Sequence, residues 1–336
     1  VVCIPPSKSV NINEFLNDVD ENWGSVEVEE FVDGTMINIF YHDEWCISTR
    51  SCIGGKNRWA SQKNFNQMFM ESSQNMNFDA LDKNCCYTLV LKHQDNRIVK
   101  QYMNGGVTLV SVFNLENEIT PLNIRDIQKH LGEQNINVDI PEKFTFNTYE
   151  EALKSANRGW DKYQDQGYVL KHHGMRSKIR NQAYNYAKNL RGNSNNMFYH
   201  YLHLKQQNNI QDYLQFFPEH GQAFDYYKNL LFKMTSNLHQ NYISLHVKKT
   251  KTINEIPFEY RRLCYDLHGE HLRSGQPTTF YKVINFVNNM DVPLILYTIN
   301  FNKRQTKTHS SSTDVEQSVE AEVEAEVEQI VEATVA

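Results

Sequence analysis

The sequence predicts an α+β fold in two parts, and three observations predict it. Short runs of β-branched and aromatic residues, cut by turn signals, fill the first half of the 336 residues. From about Ile179 these runs fade, and apolar residues recur at helical spacings. The chain then closes on an alternating Val/Glu/Ala run that contains no Lys or Arg.

In chain order, strands are expected over residues 26–32, 36–41, 45–50, 87–92, 97–102 and 107–113. Asp33-Gly34, His42-Asp43-Glu44, Asp95-Asn96 and Asn104-Gly105-Gly106 supply the turns between them. Helices are expected over 13–19, over 61–70, where Phe65, Met68 and Phe69 share a face, and over 148–155. Beyond Ile179, residues such as Tyr184, Ala187, Leu190, Tyr213, Leu214 and Phe217 repeat at helical spacing, with Pro218, Pro257 and Pro277 as helix boundaries. The expected organisation is an α+β domain over 1–180, a helical domain over 181–303 and an acidic tail over 304–336. Residues 309–336 hold eight acids and no Lys or Arg, which outweighs the net charge of −6, so the remainder of the chain is slightly positive. Like charges on alternate residues favour a disordered tail. A short helix or a strand that docks a protein partner stays open.

The composition excludes several classes. No apolar run is long enough to span a membrane. The six cysteines include no CxxC pair, so reduced thiols and a cytoplasmic location are expected. No signal peptide is visible, although a chain opening on Val1 makes that weak evidence. No metal site is expected. His172 and His173 are adjacent on a strand and should face opposite ways, and His200 and His203 lack a carboxylate at matching spacing.

Five stretches carry the chemistry. They are Glu29-Glu30-Phe31-Val32-Asp33-Gly34-Thr35; the run from Ser48 through Arg50 to Gly55; YTLVLKHQDNRIVKQY over 87–102; Gln166-Gly167-Tyr168-Val169-Leu170-Lys171; and Ser177-Lys178-Ile179-Arg180. In this order they resemble the RNA ligase branch of the covalent nucleotidyltransferases, specifically the phage RNA ligase 1 type. The resemblance covers about residues 26–180. Its most specific parts are DNRIV followed by a tyrosine, and QGYVLK followed by Lys-x-Arg. High Asn, Lys, Ile and Tyr content with an acidic repeat tail also suggests a large DNA virus as source, which would place the protein in host cytoplasm or virion.

The resemblance implies a nucleotide cleft between sheets, with ATP as cofactor and RNA as partner. In that family a lysine attacks the ATP α-phosphate, two glutamates hold ribose and metal, and cations hold the phosphates. Carried over by position, the nucleophile falls on Phe31, the ribose-binding glutamate on Val90 and the metal-placing glutamate on Gln166. Asp33, Gly34, Arg50, Asn96, Arg97, Gly167, Lys171, Lys178 and Arg180 match, the last conservatively. The implied nucleotide-binding set is therefore Asp33, Gly34, Arg50, Asn96, Arg97, Gln166, Lys171, Lys178 and Arg180, with no catalytic residue. Loss of two acids counts against Mg2+.

Arg50, Lys171, Lys178 and Arg180 remain open to a second reading as solvated surface cations. The cations scattered among Tyr and Phe in the helical part suit single-stranded nucleic acid, or equally an ordinary helical core with a solvated face. Three functions follow: a non-catalytic binder of nucleotide or RNA, an active ligase with a relocated lysine such as Lys8 or Lys56, and a structural virion scaffold.

Overall fold

A computed structural model describes residues 1–308 other than Asp20, Glu21, Ala60 and Asn75, with backbone alone for residues 305–308. The acidic run from His309 onward lies outside the described residues. The chain divides into two compact units, the first Val1–Arg191 and the second from Gly192.

In the first unit, helix α1 (Ile12–Val19) precedes strand β1 (Glu27–Glu30), and the hairpin β2 (Thr35–His42) and β3 (Glu44–Ser48) follows. Helix α2 (Phe65–Ser72) leads to β4 (Cys85–Lys92), β5 (Gly106–Asn114) and β6 (Thr120–Leu122). Then come α3 (Ile124–Glu133), β7 (Lys143–Phe144), α4 (Tyr149–Ala156), the hairpin β8 (Gly167–His172) and β9 (Met175–Arg180), and α5 (Gln182–Arg191). Two antiparallel sheets result, in the orders β7-β1-β8-β9 and β3-β2-β4-β5-β6. The chain crosses from one sheet to the other through Phe31-Val32-Asp33-Gly34, so the Asp-Gly turn stands where the sheets meet.

Each sheet buries one face under helices. Ile37, Ile39, Leu89, Leu91 and Leu109 of the larger sheet pack with Phe65, Met68 and Phe69 of α2 and Leu131 of α3. Val28, Tyr168, Leu170 and Ile179 of the smaller sheet pack with Phe15 and Val19 of α1 and Ala152 of α4. Two motif glycines are demanded by this close approach. Gly34 has φ +148°, and a Cβ there would sit 2.3 Å from the Leu91 carbonyl oxygen. Gly167 has φ +116°, and its Cβ would fall 2.1 Å from the Ile179 oxygen. Both backbones lie where only glycine fits.

The strand expected over 97–102 is absent. That segment is irregular, although Ile98 and Val99 gave it a strand-like pattern. The reason is chemical: the amides of Val99 and Lys100 donate to the Asp33 carboxylate at 3.0 and 2.8 Å, so they do not join a ladder. Helix α2 begins four residues later than expected, at an Asn64 capping box closed by Gln67. Helix α3, β6 and β7 were not anticipated.

The second unit is helical: α6 (Met197–Gln206), α7 (Ile210–Phe216), α8 (Gly221–Tyr242), α9 (Phe258–Ser274), α10 (Phe280–Asn288) and α11 (Val292–Thr308). Its core is aromatic, with Phe198, Tyr201, Tyr213, Phe224 and Tyr227 in mutual ring contact. The fold class is α+β, as expected. Among the described residues no helix is long and apolar enough to cross a membrane.

Candidate functional site

The crossing segment borders a cavity of about 460 Å³ walled by residues of both sheets. Met36, Val90 and Val110 of the larger sheet and Ile98 of the irregular segment give it an apolar side. Val90 stands opposite Met36 in the β2–β4 register. Glu29, Lys171, Gln166 and Arg176 give it a polar side, and Phe31 stands at the border.

The polar side is electrically uneven. Its acids are each matched by a lysine: Glu29 with Lys171 at 2.6 Å, Glu27 with Lys143 at 3.3 Å and Glu30 with Lys100 at 3.9 Å. Asp33, 2% exposed, is committed as well. Besides the two amides, it accepts from the Tyr184 hydroxyl at 2.8 Å, while its own carbonyl accepts from the Tyr102 hydroxyl at 2.8 Å. Burial first, and the Asp33 carboxylate second, push both phenols upward, so both stay protonated donors.

The cations of β9 and α5 have no such matching. Arg176, Lys178 and Arg180 occupy alternate positions of β9, while Ser177 and Ile179 face the core. Lys188 of α5 joins them. None of the four is within ion-pair distance of an acid among the described residues. Arg176 Nε is buried without a hydrogen-bond partner. Burial lowers Arg176, Lys178 and Lys188, and neighbouring cations lower Lys178 and Lys188 further. Clustered, partly desolvated cations with an orphaned donor make a place where an anion would be stabilised. The Lys178 amine and Arg180 guanidinium lie 5.0 and 5.3 Å from the centre of the Phe31 ring. Phe31 thus stands against two of these cations and offers them only a π face.

Of the residues anticipated from sequence, Asp33, Gly34, Gln166 and Lys171 line the cavity, and Lys178 and Arg180 meet it through Phe31. Three others sit elsewhere. Arg50 is exposed in a bend after β3. Asn96 donates to Thr35 Oγ1 at 2.8 Å, and Arg97 Nε donates to the Val99 carbonyl at 3.0 Å. Asn96 and Arg97 therefore shape the irregular segment and do not line the cavity. Sequence reasoning missed Arg176 and Lys188, although the Arg-x-Lys-x-Arg alternation held the signal for the first.

The donor set bears on both implied cofactors. The unmatched cations fit a phosphate. The acids that line the cavity do not fit Mg2+, because they are ion-paired or hydrogen-bonded, and Val90 and Gln166 beside them carry no charge.

One hairpin departs from expectation. His172 ends β8 and pairs with Met175, so His173 and Gly174 form a two-residue turn, both with positive φ (43° and 80°). Strand alternation ends there. The His172 and His173 rings stack at 3.9 Å instead of facing apart.

No protein-family model matches this chain. One curated relative is the immediate-early protein ICP-46 homolog of Invertebrate iridescent virus 3, 24% identical over 231 residues. The match covers 65% of this chain and 47% of the relative, so it spans about half of the relative's length. Solved structures of Naegleria gruberi RNA ligase are also similar. The ligase with PPi matches at TM-score 0.43 and 16% identity, over 54% of this chain and 57% of that one. A glutamate mutant with AMP and Mn matches at TM-score 0.42 and 17% identity, with the same coverage.

Proposed function

We propose that this chain is a non-catalytic, RNA ligase-like protein that holds the phosphates of a nucleotide or RNA end against β9. The observation that carries this reading is the unmatched cation group of Arg176, Lys178, Arg180 and Lys188, two of which stand against Phe31. A lysine nucleophile at Phe31 would stand within this group, which is where the ligase resemblance puts phosphate chemistry. Phenylalanine has no lone pair to attack phosphorus, so the covalent route is closed at that position. The viral relative supports a viral setting.

In this reading the chain's own residues bind and orient. Lys178 and Arg180 offset phosphate charge, the orphaned Arg176 Nε donates, and the apolar side of Met36, Val90 and Val110 receives the base. Asp33 keeps the crossing segment rigid through its four hydrogen bonds to the chain.

Intact mass after incubation with ATP and Mg2+ gives the first test, with no AMP adduct expected. Titration with ATP in EDTA is expected to give saturable binding. Lys178→Ala and Arg180→Ala should each weaken it about tenfold or more, the scale of one charge-assisted contact. Absence of ATP and RNA binding by the folded chain would overturn the reading. One observation favours the second reading, an active ligase: Lys178 is an amine with a lowered pKa beside the Phe31 position. A pyrophosphate-reversible adduct that vanishes in Lys178→Ala would establish that reading instead.

A further inference from the structure

We propose that Asp18, His172 and His173 form a zinc site, with one coordination position left for water, on the rim of the cavity. One nitrogen of each imidazole and a carboxylate oxygen of Asp18 all lie within 4.8 Å of one another. They come from the last turn of α1, the end of β8 and the β8–β9 turn.

The hydrogen bonds around His172 assign its ring. Ser25 Oγ donates to the Asn22 carbonyl at 2.8 Å, which commits the hydroxyl proton. Ser25 Oγ therefore accepts from His172 Nδ1, 3.2 Å away. In the neutral ring, Nε2 is then a bare lone pair. That lone pair faces Asp18 Oδ2 at 3.8 Å, too far for a hydrogen bond and pointing at a second electron-rich atom. Two lone pairs so placed call for a positive group between them, a metal ion or a proton. His173 brings a third donor, a nitrogen, within 4.8 Å; its ring, stacked on His172 with a 30° tilt, has to turn for its in-plane lone pair to converge, and its exposure leaves room for that. The Ser25 contact also supplies the hydrogen bond that the far nitrogen of a metal-bound imidazole normally makes.

The spacing suits a small transition ion. Bonds of about 2.0–2.2 Å in a tetrahedral site set ligand atoms about 3.4 Å apart. The 3.8 Å separation of His172 and Asp18 closes to that by small side-chain rotations. Asp18 and His173 are exposed and free to rotate, while His172 is held. Two imidazoles and one carboxylate select zinc over the oxygen-seeking Mg2+ and Ca2+. Both histidines line the cavity, and three protein ligands leave a fourth position open.

The experiment uses untagged full chain stripped with a chelator. Calorimetric titration with zinc is expected to show one ion per chain with a micromolar or tighter Kd, not displaced by millimolar Mg2+. Asp18→Asn and His173→Asn should each weaken binding at least tenfold, with circular dichroism unchanged. Asparagine tolerates the left-handed turn at position 173. Cobalt should give the visible absorption of a four-coordinate site, lost in the same variants. No zinc uptake by the folded chain would overturn the proposal, and so would uptake that neither variant changes. A titration in which His172 simply protonates against Asp18, with zinc without effect, assigns the gap to a proton and overturns it as well. The zinc ligands are separate from the β9 cations, so the zinc and ATP titrations fail independently.

Discussion

Asp33 illustrates how one buried side chain can hold a crossing segment of backbone in place. Its carboxylate accepts three hydrogen bonds and has little capacity left for a ligand. Asp33→Ala would strand two amides and a phenol in a buried place. The expected cost is about 3–5 kcal/mol, less than the sum of separate bonds because they share one acceptor. Thermal denaturation checks it, and a loss under about 1 kcal/mol would show that water replaces the carboxylate. Gly34 and Gly167 were legible in sequence as turn residues, and the structure gives both backbones that admit no other residue, with Gln166 next to one of them. Asn96 and Arg97, expected in the nucleotide-binding set, spend their side chains on Thr35 and the Val99 carbonyl, because a polar residue that shapes a loop and one that binds a ligand look alike in a motif.

At the scale of elements, β1 to β5 were legible to within a few residues, since alternation and turn chemistry reported the same boundaries, whereas β6, β7 and β9 were not anticipated. The failure over 97–102 has a specific cause: a side-chain acceptor far away in sequence took the amides that a ladder would use. Helix α3 carried a readable signal in Asn123, Ile124, Ile127 and Leu131. Asn123 caps it by accepting from the Arg125 amide, but its exposed polar faces masked the pattern. The β8–β9 hairpin gives the prediction proper to this scale. Gly167→Ala puts a methyl against a neighbouring backbone oxygen that cannot move without breaking the pairing. Loss of soluble, folded chain is expected, and a well-folded variant within about 1 kcal/mol of the parent would mean that the strand end relaxes.

For the molecule as a whole, the change of hydrophobic period comes at about Ile179, but α5 still belongs to the first unit and the division follows Arg191, while the site was only half visible. Its cations alternate on one strand, but their lack of acid partners is a property of tertiary placement. The helical unit carries a pH dependence of its own. His246 and His268 stack at 4.0 Å, and His246 also meets Tyr242 and Tyr265, while His271 stacks on His268. His246 Nε2 and His268 Nδ1 are buried without partners. Burial first, and His268 second, lower the His246 pKa from its ordinary 6.5. The unfolded chain therefore binds a proton at a higher pH than the folded chain does. The His246 contribution is fully present above about pH 6.5 and is lost as pH falls from there toward the lower folded value. Denaturant midpoints across pH 5–8 check the sign. His246→Gln should flatten the slope below 6.5, and an unchanged slope would exclude this histidine.

The Asp33 contacts also bear on exchange with heavy water. An irregular segment is usually where amide protons leave fastest, because no ladder holds them. Here Val99 and Lys100 are bonded to a buried carboxylate. Their protons should leave on the slow timescale of β4, while those of their exposed neighbours leave quickly. A sharp two-residue island of slow exchange inside a loop would mark the place where this fold is stitched together.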